Sequence, residues 1–166
     1  MRVLNQSGRM SNSTRYRTDF DAIASWITPN AQVLDLGCGD GALMQHLETK
    51  KNVRGYGVEI DDNKVLSSAE NRINVLQMDL ESGLPNFDTR SFDFVILSLT
   101  LQAVRNTELV VEEMLRIGNQ GIVTFPNFGF WLHRFQILFG RMPVSKELPY
   151  EWYNTPNVHL FTIKEF

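Results

Sequence analysis

The stretch that decides the fold is residues 33–41, VLDLGCGDG, in which a short apolar run opens directly into three alternating glycines. Residues 32–36 predict a strand, and the residues after Gly41 predict a helix, so the glycines lie at a strand–helix junction. Glycine at such a junction lets the backbone turn tightly and approach a ligand at the positive end of the helix. The junction is therefore the first candidate binding site.

The rest of the chain repeats this alternation of apolar runs and amphipathic segments. Further strands are predicted at 53–60, 73–77, 92–99 and 121–125, and helices are predicted to begin near Thr18, Asp61 and Thr107. Strands that alternate with helices of this kind predict parallel βαβ units with helices on both faces. The predicted fold class is α/β, a doubly wound sheet of five parallel strands, and the right-handed crossover rule favours the strand order 3-2-1-4-5.

The fifth strand is expected to be an edge of the sheet, because nothing after Phe125 has a clear strand pattern. An open edge presents unpaired N–H and C=O groups that favour association. We therefore expect a segment within 127–166, or a neighbouring chain, to cover it.

Length and composition exclude several classes of protein. With 166 residues the chain is long enough for one domain, predicted at 18–166, after a polar and basic segment at 1–17 that predicts a flexible extension. A net charge of −3 gives no general attraction to nucleic acid or to anionic membrane. The single cysteine excludes a disulfide framework and is typical of a reducing compartment. We expect a cytoplasmic protein with no nucleic-acid or membrane partner.

Carboxylates follow the first three strands, where parallel strands place ligands. Asp35 ends the first strand, Glu59 ends the second, and Asp79 follows the third. An acid about 20 residues beyond the first glycine is where a dinucleotide-type fold binds ribose hydroxyls. A carboxylate at position 79 can accept a hydrogen bond from an adenine amino group. The pattern predicts a cofactor that contains adenosine.

Charge favours one such cofactor over the others. Gly37, Gly39 and Ala42 also match the NAD fingerprint G-x-G-x-x-G/A. A pyrophosphate on this loop would be repelled by Asp35 and Asp40, whereas S-adenosylmethionine carries an ammonium and a sulfonium instead. Asp35 is expected to receive that ammonium directly or through water. NAD, another nucleotide and a purely structural turn are the alternatives.

The candidate cofactor-binding residues lie on the glycine loop and at the ends of the first four strands. They are Asp35, Gly37, Cys38, Gly39, Asp40, Gly41, Glu59, Ile60, Asp79, Leu80 and Ser98. No catalytic residue is predicted, because the segment SLTLQ at 98–102 contains no titratable base. Gln102 is interpreted as a loop amide with local hydrogen bonds, with a contact to substrate as the alternative. His133, among aromatic residues, is interpreted as a packed histidine, and no metal-ligand spacing occurs.

Several motifs resemble a known family. They are VLDLGCGDG at 33–41, GVEID at 57–61, LTLQAV at 99–104, TFPNFG at 124–129, GRMPV at 140–144 and LPYEWYNTPN at 148–157. The first two resemble the class I, Rossmann-like methyltransferases that use S-adenosylmethionine. The other four resemble the bacterial methionine-biosynthesis protein W (MetW) family, from about Tyr16 to the end of the chain. Residues 1–15 have no counterpart in the family pattern, and the closing strands of the full class I fold are expected to be missing.

The resemblance implies a function in methionine biosynthesis. It implies binding of S-adenosylmethionine or S-adenosylhomocysteine and a companion role beside homoserine O-acyltransferase. An active methyltransferase acting on an unknown small molecule is the alternative. The apolar segment FGFWLHRFQILFGR at 128–141 predicts a helix that covers the sheet or the substrate cleft, or that docks a partner. Tyr150, Trp152 and Tyr153 add aromatic side chains of the kind that dominate interfaces.

Overall fold

A five-stranded parallel sheet organises the chain, in the order β3-β2-β1-β4-β5. The structure is a computed structural model that describes residues 18–145 and 148–166, so the predicted flexible extension at 1–17 lies outside the described residues. The strands are β1 (Gln32–Leu36), β2 (Arg54–Glu59), β3 (Val75–Gln77), β4 (Phe92–Ser98) and β5 (Gly118–Thr124). The helices are α1 (Thr18–Trp26), α2 (Ala42–Lys51), α3 (Asp62–Glu70), α4 (Thr107–Ile117) and α5 (Trp131–Leu138). The predicted fold class, strand count and strand order are confirmed.

The strand order brings the carboxyl ends of β1, β2 and β4 together. Leu34 of β1 pairs with Tyr56 of β2 on one side and with Val95 of β4 on the other. The chain therefore reverses its direction of winding at β1. In open parallel sheets ligands bind at this switch point, beyond the carboxyl ends of the strands.

Two apolar clusters, one on each face of the sheet, form the core. Val33 packs with residues of α1 and α2, whereas the next residue, Leu34, packs with residues of α4. Both side chains have 0% exposure. Strands buried on both faces explain why the sequence shows continuous apolar runs there instead of alternation.

Two predicted boundaries differ from the observed ones around α4. Thr107 was expected to cap the helix, but it is the first helical residue, and the Asn106 side chain accepts a hydrogen bond from the Leu109 N–H at 3.2 Å. β5 begins at Gly118 and not at Gly121, because the chain turns directly from helix to extended backbone at Gly118. A Cβ at Gly118 would lie 2.7 Å from Cγ2 of Val95, so the close pairing with β4 excludes a larger residue there.

The outer edge of β5 is only partly covered by its own chain. Asn119, Gln120 and Gly121 are exposed, and no strand of the described residues pairs with this edge. Phe161 reaches the apolar cluster beside Val123, near the carboxyl end of the strand. The expectation that residues 127–166 would cover the edge is therefore wrong for 119–121, and a neighbouring chain stays the predicted cover.

The predicted helix within 128–141 is confirmed as α5, but it does not bury its apolar side chains. Trp131, Phe135 and Leu138 are 61%, 52% and 74% exposed. His133 is the one side chain of α5 that is buried. The helix thus presents an apolar surface to the outside, and the expectation that it covers the sheet is wrong.

Candidate functional site

The glycine loop after β1 is held between β2 and the segment that follows β4. The N–H groups of Gly37 and Cys38 both donate to the Val58 carbonyl, at 2.8 and 3.0 Å. Gly37 has a φ of +78°, and a Cβ there would lie 2.5 Å from the Thr100 side chain. Glycine is therefore required at this position by its backbone angle and by the approach of Thr100.

Glu59, at the end of β2, joins the loop to its own strand. Its Oε2 accepts from the Gly39 N–H at 2.9 Å, and its Oε1 accepts from the N–H groups of Ile60 and Asp61 at 2.9 and 3.1 Å. An ionised carboxylate offers about four acceptor sites, so these three bonds leave acceptor capacity on Oε2. The side chain is 6% exposed, which is a costly position for a carboxylate without such donors.

A cavity of about 350 Å³ lies at the carboxyl ends of the central strands. This volume is within the range of small-molecule sites. One wall comes from Gly37 and the end of β2, a second from residues 78–81 after β3, and a third from residues 98–104 after β4. Tyr150, Pro156 and Asn157 of the C-terminal segment form a fourth wall.

Six of the eleven predicted site residues line this cavity, and five do not. Those on the wall are Gly37, Glu59, Ile60, Asp79, Leu80 and Ser98. Those outside the wall are Asp35, Cys38, Gly39, Asp40 and Gly41. Asp35 lies within β1. The second half of the loop is bound to α3 and its C-terminal end, because Ser68 Oγ donates to the Gly39 carbonyl and Asn71 Nδ2 donates to the Asp40 carbonyl, both at 2.9 Å. Asp40 is exposed and its Oδ1 accepts from the Ala42 N–H at 3.2 Å, at the start of α2.

The wall combines apolar surface with acidic groups. Ile60 and Leu80 are apolar, and Asp79 lies beside Leu80 with its Oδ1 accepting from the Glu81 N–H at 2.9 Å. The ionisable side chains on the wall include three carboxylates, those of Glu59, Asp79 and Glu81, against the single ammonium of Lys64. Such a wall favours a neutral or cationic ligand over a polyphosphate.

Cys38 is a buried packing residue. Its Sγ lies 3.8 Å from Oγ of Ser68, and a Cβ on Gly57 would lie 2.3 Å from that sulfur. Burial, together with the nearby Asp35 carboxylate, raises the pKa of the Cys38 thiol to about 12. The thiol therefore stays protonated at neutral pH and is not a nucleophile.

The structure confirms the interpretation of His133 as a packed histidine. It is 3% exposed, its Nδ1 lies 3.2 Å from the Asn127 carbonyl oxygen, and its ring lies between those of Phe128 and Phe130 at centroid distances of 6.1 and 5.8 Å. No group of three or more His, Cys, Asp or Glu side chains in 18–145 and 148–166 has the arrangement of a metal site. No helix of that same part of the chain is long and apolar enough to cross a membrane.

Two parts of the cavity wall were not predicted as cofactor-binding. The Gln102 Nε2 donates to the Leu99 carbonyl at 2.8 Å, which confirms the predicted local hydrogen bond, yet the same side chain also lines the cavity. The C-terminal wall around Asn157 arises because the N–H groups of Val158 and His159 donate to the Gln102 carbonyl at 2.8 and 3.0 Å. The motifs LTLQAV and LPYEWYNTPN contain Gln102 and Asn157, but neither motif shows that the two segments meet.

Comparison with solved structures supports the fold. A possible histamine N-methyltransferase from Thermotoga maritima, a protein that depends on S-adenosylmethionine, is 21% identical with a TM-score of 0.63, over 89% of this chain and 64% of that one. The YcgJ protein from Bacillus subtilis is 17% identical with a TM-score of 0.65, over 88% of this chain and 63% of that one. At such identities the likeness is one of fold, and the fold is that of Rossmann-like methyltransferases.

Sequence comparison identifies the family. The family model of the methionine biosynthesis protein MetW matches residues 17–166. The bifunctional methionine biosynthesis protein MetXA/MetW of Rhodopirellula baltica is 38% identical over 157 residues, which cover 89% of this chain and 25% of that protein. The chain thus spans about a quarter of the length of this relative. With its fold, its glycine loop and its cavity, the chain belongs to the MetW family of methionine biosynthesis proteins.

Proposed function

We propose that the chain binds S-adenosylmethionine or S-adenosylhomocysteine in the cavity at the carboxyl ends of β1, β2 and β4. The observation that carries this proposal is the connection between Glu59 and the glycine loop, because it places a carboxylate with acceptor capacity on the wall formed by that loop. The four-site count for a carboxylate leaves Glu59 one further site, on Oε2, that can accept from a ribose hydroxyl. Asp79 is suited to the adenine amino group, and Ile60 and Leu80 are suited to the faces of the ring.

The charged side chains on the wall fit this cofactor better than they fit NAD. Lys64 is the one cationic side chain on the described wall, against three carboxylates. A pyrophosphate would be repelled there, whereas an ammonium and a sulfonium would be attracted. When bound, S-adenosylmethionine would supply an activated methyl group, and the residues of the wall would bind and orient it.

Calorimetry with purified protein tests the assignment. We expect S-adenosylmethionine and S-adenosylhomocysteine to bind with one site per chain, and NAD to bind more weakly than either or not at all. NAD binding tighter than both would contradict the assignment. A Gly37→Ala variant is expected to bind both ligands more weakly, because its Cβ would lie 2.5 Å from the Thr100 side chain on the cavity wall. Glu112→Ala, at an exposed position on α4 away from the cavity, is the matched control.

The partner we propose is homoserine O-acyltransferase. The family resemblance implies this companion, and the name of the Rhodopirellula baltica relative joins MetXA to MetW in one bifunctional methionine biosynthesis protein. A fusion keeps two proteins at high effective concentration, which is expected for proteins that work together. Further support is the absence of a titratable side chain from residues 98–104 on the cavity wall, where a general base for methyl transfer is expected. A biosynthetic role and a single free cysteine favour a cytoplasmic location.

The surface proposed for docking consists of exposed aromatic and aliphatic side chains at and after α5, and we refer to it as the C-terminal apolar surface. Its members are Phe130, Trp131, Phe135, Leu138, Phe139, Trp152 and Tyr153, each at least 45% exposed. The rings of Phe130, Trp131 and Phe135 contact one another in sequence, and so do those of Trp152 and Tyr153. Exposed apolar groups that cluster in this way are typical of interaction sites. Trp and Tyr are also the residues most enriched among those that dominate binding energy.

Binding of purified homoserine O-acyltransferase to substituted chains tests the docking surface. Trp152→Ala and Phe139→Ala are expected to weaken binding about 30-fold or more, as for interface residues worth about 2 kcal/mol. Trp26→Ala is the matched control, because Trp26 is 59% exposed but lies at the end of α1, outside the C-terminal apolar surface. If wild type does not bind the acyltransferase, the partner proposal is wrong, and if both variants bind as wild type does, the proposed docking surface is wrong.

An active methyltransferase is the second candidate function. The cavity favours it, because Gly37, Glu59 and Asp79 all line it. A screen for methyl transfer from S-adenosylmethionine to small-molecule acceptors, with and without the acyltransferase, distinguishes the two functions. Transfer that the acyltransferase does not change would favour the enzyme over the companion.

A further inference from the structure

We propose that a ligand in the cavity strengthens the docking of homoserine O-acyltransferase, because one loop contributes both to the cavity wall and to the C-terminal apolar surface. The inference rests on the proposed cofactor and the proposed partner, and it states how the first regulates the second. The loop consists of residues 149–157, and we refer to it as the shared loop. Tyr150, Pro156 and Asn157 line the cavity. Trp152 and Tyr153, which lie between them, are 72% and 70% exposed.

The shared loop is attached to the rest of the chain at its two ends. Leu148, directly before the loop, is 4% exposed and belongs to the core. Directly after the loop, the N–H groups of Val158 and His159 donate to the Gln102 carbonyl at 2.8 and 3.0 Å. These hydrogen bonds place the end of the loop against the segment that follows β4, which is itself part of the cavity wall.

Between its ends, the shared loop makes hydrogen bonds to described residues only within itself. The Glu151 N–H donates to Oδ1 of Asn154 at 2.8 Å, and the Asn154 N–H donates to the Glu151 carbonyl at 3.2 Å. The Asn157 N–H donates to Oγ1 of Thr155 at 3.1 Å. Residues 149–156 are all exposed. Segments with so little buried surface and so few external hydrogen bonds are among the least stable parts of a fold.

A ligand in the cavity would add contacts to this loop from the inside. Tyr150 near its start and Asn157 at its end both face the ligand. The rings of Trp152 and Tyr153, in edge-to-face contact at a centroid distance of 5.7 Å, lie between these two positions. Association is weakened by the entropy lost when loops and side chains become ordered. A loop that the ligand has already ordered loses less entropy when the partner binds, so the two binding events favour each other.

Four binding measurements test this coupling. The affinity of purified homoserine O-acyltransferase for the chain is measured without and with saturating S-adenosylhomocysteine. The affinity of S-adenosylhomocysteine is measured for the chain alone and for its complex with the acyltransferase. We expect each to strengthen the other by at least about fivefold, and by the same factor, because coupling between two binding sites is reciprocal.

Two variants of the docking surface locate the coupling in the shared loop. Trp152 and Phe139 are 72% and 76% exposed, but only Trp152 lies on the loop. Trp152→Ala and Phe139→Ala are both expected to weaken docking. The ligand should still strengthen docking of Phe139→Ala by the full factor, which makes this variant the matched control. For Trp152→Ala the effect of the ligand should fall below about twofold.

Hydrogen exchange gives a readout that needs no partner. S-adenosylhomocysteine alone should slow amide exchange in residues 150–157, where the ligand contacts the loop. Exchange in α5, whose residues do not line the cavity, should be unchanged. Unchanged exchange in the loop of a chain that has bound the ligand would overturn the inference.

The outcomes separate this inference from the proposals on which it rests. If S-adenosylhomocysteine does not bind, the proposed cofactor is wrong, and if the acyltransferase does not bind, the proposed partner is wrong; the inference fails with either. If both bind but neither changes the affinity of the other, or if the ligand weakens docking, this inference alone is overturned. Equal ligand effects in Trp152→Ala and Phe139→Ala would likewise overturn it.

Discussion

The glycine-loop half of the molecule and its C-terminal third differ in where their apolar side chains lie. In the first, Val33, Leu34 and Val58 have 0% exposure. In the second, Phe139 and Trp152 are 76% and 72% exposed. The apolar residues of the first region hold the fold together, whereas those of the second contribute little burial within this chain. This difference is what we expect if the second region contacts another molecule, as proposed above.

The two regions meet at the cavity. Gln102 belongs to the segment after β4, and its carbonyl holds Val158 and His159 of the C-terminal segment. A ligand in the cavity would therefore touch the buried half and the exposed third at once. Substitutions that affect burial, ligand binding and surface contact one at a time test this difference between the two regions.

The largest effect is expected for Gly55→Ala in β2. A Cβ there would lie 1.7 Å from the Val33 carbonyl oxygen, a backbone atom that cannot move without breaking the sheet. We expect destabilisation of more than about 3 kcal/mol, or no folded protein. Gly129→Ala in the C-terminal third is the control, because its Cβ would meet the Thr162 methyl at 3.1 Å. We expect it to cost below about 1 kcal/mol in urea unfolding, and equal losses in the two variants would refute the comparison.

The next effect concerns ligand affinity. Glu59→Ala removes a charged acceptor from the cavity wall, and it also removes the anchor of the Gly39 N–H. We expect binding of S-adenosylhomocysteine to weaken by about 1.5–3 kcal/mol. Glu112→Ala, an exposed glutamate on α4, should leave the affinity unchanged. Circular dichroism of both variants checks the fold, and unchanged affinity in a folded Glu59→Ala would refute the assignment of this residue.

A smaller effect depends on pH. Glu113 accepts from Nε and Nη2 of Arg116, both at 2.7 Å, and from the Leu84 N–H at 3.0 Å. These hydrogen bonds hold the pKa of the Glu113 carboxyl below its usual 4.5 in the folded protein. The stability that they contribute is therefore present above about pH 4.5 and is lost as the pH falls through the lower, folded pKa.

Glu113→Gln tests this coupling. The variant should be less stable by about 1–2 kcal/mol at pH 7, and its difference from wild type should shrink as the pH falls below 4.5. Thermal melting between pH 7 and pH 3 measures this. A difference that stays constant with pH would show that the carboxylate charge has no role in holding residues 84–87 against α4.

The smallest effect is expected on the C-terminal apolar surface. Phe139→Ser should change the free energy of unfolding by no more than about 0.5 kcal/mol, because surface substitutions rarely do more. Leu148→Ala is the contrast, because Leu148 is 4% exposed and loss of a buried leucine costs about 2–5 kcal/mol. A loss of several kcal/mol in Phe139→Ser would show that the surface belongs to the core.

Local patterns were sufficient for the elements and their order. The apolar runs of β1 and β4 and the glycines between β1 and α2 predict strands and a turn without knowledge of distant residues. The limits of α4 were less well predicted, because Asn106 and Thr107 are both good capping residues. Which of the two caps the helix depends only on the backbone angles that the preceding loop imposes. The early start of β5 at Gly118 likewise depends on pairing with β4.

The α/β class and the carboxylates that follow the strands could be predicted from the sequence alone, since periodicity and turn chemistry are local properties of the chain. The strand order was predicted with the right-handed crossover rule, which is a general property of parallel sheets. Which of those residues line the cavity depends on how distant segments pack. Asp35 and Asp40 are not among the residues that line it, whereas Gln102 and Asn157 are. Backbone hydrogen bonds between residues more than fifty positions apart join these segments. Such bonds follow from packing, and no spacing along the chain records them.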